Sequence, residues 1–275
     1  MRSTFNLPYN ILIMITFRIN HIRISTSLIR VLYAVALAVT AMTPQAMADS
    51  HSCAMSMSQP RSDSRQWKAG VLMTEEQVAR YGLDSCFAVC PISDLVFARM
   101  RGRSFKDNPH IARADLCYLR VLHYDADGNI RAGEMVCNKA IAADLAAIFR
   151  KLYDARYPIE RMVLIDNYNA QDDPSMEANN SSCFNFRFIA GTTTLSNHSM
   201  GMAIDINPLY NPYVKQRTNG TLYVSPESGR PYADRNRQFD YKIDHNDLCY
   251  KLFKQHGFTW GGDWTSLKDY QHFEK

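Results

Sequence analysis

The feature that most restricts the fold of this chain is a pair of apolar runs placed symmetrically about one turn. Leu116–Tyr124 and Ile130–Asn138 are strand-like and flank Asp125-Ala126-Asp127-Gly128-Asn129, a cluster of turn-forming residues. A hairpin centred on Asp127 sets Cys117 opposite Cys137, so a cross-strand disulfide is expected there. A slip of one residue in register would remove it. Immediately afterwards, Lys139–Arg156 carries Ile141, Leu145, Ile148, Phe149 and Leu152 at helical spacing, which predicts an amphipathic helix ended by Tyr157-Pro158. Arg161–Asp166 (RMVLID) reads as a short buried strand, and another strand is expected near Gly201–Asn207. Thr74-Glu75-Glu76 starts a helix that runs to Tyr81, and a second helix is expected over Asp247–His256 with Leu248 and Leu252 inward. No internal repeat is present. This mixture predicts the α+β class, as a single domain with a central antiparallel sheet flanked by helices.

Charge separates the N-terminus from the rest. The 275 residues hold 31 Lys+Arg against 27 Asp+Glu, a formal +4. Arg2, Arg18, Arg23 and Arg30 lie in residues 1–48, which contain no acid, so residues 49–275 carry 27 charges of each sign. The basic excess therefore says nothing about an anionic partner, and no basic-aromatic stripe of the nucleic-acid kind is present. Val31–Ala41 is an uncharged apolar run behind Arg23 and Arg30, and Ala46-Met47-Ala48 follows it. That order predicts a signal peptide over 1–48, cut after Ala48, with Met14 as an alternative start. The run is too short for a membrane span, which needs about 20 residues. A monomeric protein in the periplasm or outside the cell, with no stable membrane insertion after cleavage, is expected. Residues 49–70 are polar and read as a loose leader.

Seven cysteines (Cys53, Cys86, Cys90, Cys117, Cys137, Cys183 and Cys249) suit an oxidising compartment. Cys86 and Cys90 can lie one helical turn apart and either bond or pack. No C-x-x-C pair exists, which argues against a thiolate zinc cluster. Four Asn-x-Ser/Thr sites, at Asn179, Asn180, Asn197 and Asn219, read as coincidental, because a glycan on Asn197 would abut a candidate ligand.

Two segments carry the chemistry. In Ser196-Asn197-His198-Ser199-Met200-Gly201-Met202-Ala203-Ile204-Asp205-Ile206-Asn207, a strand from Met202 turns Met202, Ile204 and Ile206 to the core and Ala203, Asp205 and Asn207 to the other face. Gly201 lets the chain bend so that His198 approaches Asp205. An imidazole and a carboxylate held this way suit Zn²⁺; a surface histidine and a strand-end cap are the simpler alternative. The second segment, Trp260-Gly261-Gly262-Asp263-Trp264 leading to Asp269-Tyr270-Gln271-His272, offers His272 as a third ligand and Asp269 as a base outside the metal's ligand set. An ordinary Asp–His ion pair is the alternative there. Tyr210, Tyr213, Trp260 and Trp264 either line a groove or anchor the core and loops.

The pieces SNHSMGMAID, INPLYNPY and WGGDW…DYQHFE resemble the zinc D-alanyl-D-alanine carboxypeptidase family, which includes L-alanyl-D-glutamate peptidases. YPIERM, NNSSCFNFR, the hairpin and the long helix resemble one branch of it, so the resemblance runs in order from about Pro91 to Lys275. It implies residues 49–90 as leader and helix, and 91–275 as a peptidase domain with its zinc site on the sheet. By the same resemblance His198, Asp205 and His272 hold zinc, Asp269 is the general base, and Arg187 polarises the scissile carbonyl. Ser196 matches a substrate-holding serine, although a serine bonding its own backbone would look alike. Branch members often carry Cys where this chain has Phe186, so no disulfide is carried over to Cys183. The implied function is hydrolysis of an amide in peptidoglycan stem peptides; the alternative is a non-catalytic zinc-stabilised binding domain, as in animal signalling relatives of the fold.

Overall fold

The computed structural model describes residues 67–275. The expected signal peptide, most of the polar leader and Cys53 lie outside them. The helices are α1 (Glu75–Tyr81), α2 (Leu83–Cys86), α3 (Asp94–Met100), α4 (Lys139–Asp154), α5 (Asp172–Glu177) and α6 (Leu248–Gln255). The strands are β1 (Ala88–Pro91), β2 (Leu116–Tyr124), β3 (Ile130–Asn138), β4 (Ala203–Asp205), β5 (Tyr213–Gln216), β6 (Leu222–Ser225), β7 (Thr259–Trp260), β8 (Lys268–Asp269) and β9 (His272–Glu274). The α+β class holds, but the single central sheet does not. The described strands form three antiparallel sheets of three, ordered β1-β2-β3, β4-β9-β7 and β6-β5-β8.

The hairpin β2–β3 has the register that its symmetry predicts, with Cys117 opposite Cys137. Asp125 builds its turn: one carboxylate oxygen accepts the backbone N–H groups of Asp127 and Asn129, and the other meets the Arg131 guanidinium at 2.6 Å. Both faces are covered, which is why β2 reads as a nearly unbroken apolar run. Cys117, Leu119 and Val121 join Ile141, Leu145, Ile148, Phe149 and Leu152 of α4 in the main core. On the other face Leu116 and Tyr118 pack with Ile92 and Met100, and Leu122 and Tyr124 pack with Val78. The main core continues through Phe253 of α6 to Ile204 and Phe273, so it supports the β4–β9 pair from behind.

Several expectations are corrected. Cys117 and Cys137 face each other as thiols with Sγ atoms 3.9 Å apart, well beyond a disulfide's ~2.05 Å. Cys86 ends α2 while Cys90 lies in β1, so they do not share a helical turn. Arg161–Asp166 is buried from Met162 onward but is not a strand, because side chains replace its ladder partners: Asn180 accepts from the Val163 N–H and Glu134 from that of Leu164. Beyond Asp205 the backbone leaves the sheet, and Asn207 (φ 46°) turns its buried carboxamide to Pro158 and Glu160 instead of to the Asp205 face. Leu248 is exposed; Cys249, Leu252 and Phe253 are the inward residues of α6. The leader is anchored at its end, where Trp67 Nε1 donates to the Gly133 carbonyl and Gly70 N to that of Ala132. Asn179 and Asn180 are buried and internally hydrogen-bonded, which agrees with reading their sequons as coincidental. Among the described residues no helix is long and apolar enough to cross a membrane.

Candidate metal centre

His198 stands on a 3-10 turn, Asn197–Met200, capped by Ser196, whose hydroxyl accepts the His198 N–H. Gly201 closes the turn with φ 64°, and a Cβ there would come within 2.7 Å of the Asn138 nitrogen. Only glycine lets the turn sit this close to β3, and the Asn138 N–H donates back to the Gly201 carbonyl. Asp205 ends β4, directly opposite His272 at the start of β9. Cross-strand partners point to the same face, so this pairing brings carboxylate and imidazole together.

Three side chains converge. His198 Nε2 lies 3.3 Å from Asp205 Oδ2 and 3.3 Å from His272 Nδ1, and His272 Nδ1 lies 3.0 Å from Asp205 Oδ1. The outer nitrogens fix both tautomers. His198 Nδ1 meets the Cys183 carbonyl at 2.6 Å, and His272 Nε2 meets Glu274 Oε2 at 3.1 Å. Each acceptor requires a proton on the nitrogen facing it, so with neutral rings the inner atoms present lone pairs to one another and to a carboxylate. A cation at the centre of such a cluster relieves it. Donor atoms at 2.0–2.1 Å from a tetrahedral centre stand about 3.3–3.4 Å apart, close to the separations here. The donor set therefore fits zinc.

Electrostatics point the same way. Burial alone would lower the His272 pKa, but hydrogen bonds to Asp205 and Glu274, with the charges of Asp205 and Asp269, push it up to about 10. Burial would raise Asp205, yet the His198 charge and hydrogen bonds from both histidines hold it far below the carboxylate range. With no cation present, the protonated form of His272 is favoured.

Residues 190–275 match the family model described as D-alanyl-D-alanine carboxypeptidase. This is the family that the motifs resemble, and the match takes in His198, Asp205, Asp269 and His272. No curated protein and no solved structure matches the chain.

Asp269 lies on β8 and lines the same cleft, of about 1170 Å³, as the three candidate ligands. Burial pushes its carboxyl up to about 6, against the pull of His272, and its Oδ1 is buried without a hydrogen-bond partner. An acid so poised beside a candidate metal centre suits proton transfer near neutral pH. Gly261 makes room for it, and Gly262 makes room for the Trp260 ring. A Cβ on Gly261 would meet the Asp269 carbonyl oxygen at 2.6 Å, and one on Gly262 would meet the Trp260 ring at 2.3 Å.

Arg187 lies outside the matched residues but opens onto this cleft. Its backbone is tied to the His198 turn through Ser199 and Ser196. Its Nε sits 2.5 Å from Asp172 Oδ2, an ion pair in which the N–H is not aimed at the oxygen. Ser196 also lines the cleft. Of the aromatics, Tyr213 and Trp264 line it, with the Trp264 ring 5.3 Å from that of His272. Trp260 is buried in the core, and Tyr210 packs against Tyr232 and Tyr241. Sequence reasoning assigned no role to Glu274 or Asp172. Glu274 was findable, since residues i and i+2 of a strand share a face; the Asp172 contact leaves no local signal.

Proposed function

We propose that this protein is an exported zinc peptidase that hydrolyses an amide bond in peptidoglycan stem peptides, as a D,D-carboxypeptidase or an L-alanyl-D-glutamate-type endopeptidase. The observation that carries this reading is the convergence of His198 Nε2, Asp205 and His272 Nδ1 beside a raised carboxyl in an open cleft. His198, Asp205 and His272 would hold the metal; when bound, zinc supplies Lewis acidity, lowering the pKa of a water toward ~7 and polarising a carbonyl. Asp269 accepts the proton lost during attack and returns it to the departing amine, for which a pKa near 6 is well placed. Arg187, braced by Asp172, stabilises the negative charge that develops on the carbonyl oxygen. One such positioned donor contributes about 3 kcal/mol to the transition state. The Ser196 oxygen already accepts a backbone N–H, so its own hydrogen is free to donate to the peptide. The basic-flanked apolar run before Ala48 supports export to where wall peptides lie.

Digestion of purified peptidoglycan by the zinc-loaded protein, with mass spectrometry of the released pieces, tests the reading. Free D-alanine identifies a carboxypeptidase and cleaved stems identify an endopeptidase. Release of neither rejects the proposal.

A further inference from the structure

The strand β5 begins beside the proposed base and leads away from it. Tyr213 is the register partner of Asp269, and residues two and four further on are Lys215 and Arg217. Alternation turns Tyr213, Lys215 and Arg217 to the cleft, together with Tyr223 and Ser225 of the neighbouring strand β6. Val214 and Val224 are buried on the reverse side. At ~3.3 Å per residue, the Lys215 and Arg217 backbones stand about 7 and 13 Å from the Tyr213–Asp269 pair.

These two cations differ from the other basic residue of the cleft. Arg187 is already paired with Asp172. Lys215 has no hydrogen bond or ion pair beyond its strand pairing among the described residues. The Arg217 guanidinium lies 4.8 Å from the centre of the Tyr223 ring, which holds it along the wall, and Glu227, whose charge it feels, is hydrogen-bonded by Arg230. The cleft also carries the acids Asp172, Asp173, Asp205, Asp269 and Glu274, of which Asp172 is paired with Arg187.

We propose that the Tyr213–Lys215–Arg217–Tyr223 wall is a subsite for a carboxylate on the peptide, one that lies a few residues from the scissile amide. This rests on the peptidase reading and names the substrate feature that the cleft selects. A free carboxylate complements two cations that make no salt bridge or hydrogen bond to a carboxylate among the described residues, and the Tyr213 ring faces the adjoining chain. Extended peptide advances ~3.4 Å per residue, so a charge about 7–13 Å from the base belongs two to four residues from the cut.

The test is binding, measured on zinc-loaded protein carrying Asp269→Asn to stop turnover. The probes are L-Ala-γ-D-Glu-L-Lys-D-Ala-D-Ala and the same pentapeptide with the D-Glu α-carboxylate converted to an amide. Calorimetry should show the free acid binding roughly tenfold tighter at low salt, with the ratio shrinking as ionic strength rises. Adding Lys215→Ala and Arg217→Ala, both exposed positions, should bring the ratio to near one. Equal binding of the two peptides, no binding of either, or a preference that survives the double substitution overturns the subsite. If the preference is present but the zinc-loaded wild-type protein cuts neither peptide nor peptidoglycan, the subsite stands and the hydrolytic reading falls.

Discussion

Glu274 lies two residues beyond His272 on the same strand, and its Oε2 receives both the His272 Nε2 proton, at 3.1 Å, and the Asn197 carboxamide, at 2.6 Å. The hydrogen bond to His272 holds the Glu274 carboxyl below its usual range despite its partial burial. It also leaves Nδ1 as the nitrogen that faces Asp205 and His198. A carboxylate behind a metal-ligating histidine sets its tautomer and raises its basicity, and losing one typically weakens metal binding 10–100-fold. Glu274→Ala should therefore weaken zinc binding by roughly that factor in a competition titration with a chromophoric chelator, while the fold persists. Unchanged affinity would mean that Glu274 does not orient His272.

Ligands and base should separate in their metal content. His272→Ala should lose both zinc and hydrolysis, and stripping the metal from the wild-type protein should abolish activity until zinc is restored. Asp269→Ala should keep stoichiometric zinc by atomic absorption yet lose about 10²–10⁴ in kcat. Loss of zinc in that variant would make Asp269 a ligand. Full activity of the stripped wild-type protein would remove the metal from the reaction.

What the sequence revealed followed the length and regularity of each signal. The hairpin and α4 were legible because their periodic runs are long, and the symmetry about Asp127 predicted the Cys117–Cys137 register without proving a bond. The three-sheet arrangement was not, since β7 and β8 are two residues each and carry no period. RMVLID misled because burial looks alike whether the backbone bonds a neighbouring strand or the side chains of Glu134 and Asn180. His198, Asp205, Asp269 and His272, named from motifs, lie together in one cleft. Local reasoning on the strand face failed for Asn207, because a positive φ ends the strand before it. The contact of Arg187 with Asp172 depends on how α5 packs and has no trace in spacing.

Gly261 tests whether the position of Asp269 matters apart from its chemistry. A Cβ at 261 would stand 2.6 Å from the Asp269 carbonyl oxygen and 2.8 Å from its Cβ, so β8 must shift to admit it. Misplacement of a reacting group by about 1 Å can cost on the order of 10² in rate. Gly261→Ala should thus lower kcat by about that factor while zinc content stays at parent level, because the atoms nearest such a Cβ all belong to Asp269. Parent-like turnover would show that Asp269 tolerates displacement.

The raised Asp269 carboxyl gives two pH dependences of opposite use. As a base it acts only when ionised, so activity should fall as pH drops through its pKa and stay high above it. The value is about 6 without metal, and a nearby dication favours the carboxylate, so the acid limb of kcat/KM should lie at or below about 6. For stability the sign reverses. The folded-state pKa exceeds the unfolded value of ~3.9, so between them the native protein binds more protons than the unfolded chain. Asp269 therefore costs the metal-free protein stability as pH rises from about 4 through 6, and the cost persists above that. Asp269→Asn should raise the Tm of the metal-free protein at pH 7.5 and change it little at pH 4, as calorimetry can show. A variant destabilised at pH 7.5 would mean that the carboxylate stabilises the fold, contrary to its burial beside Asp205.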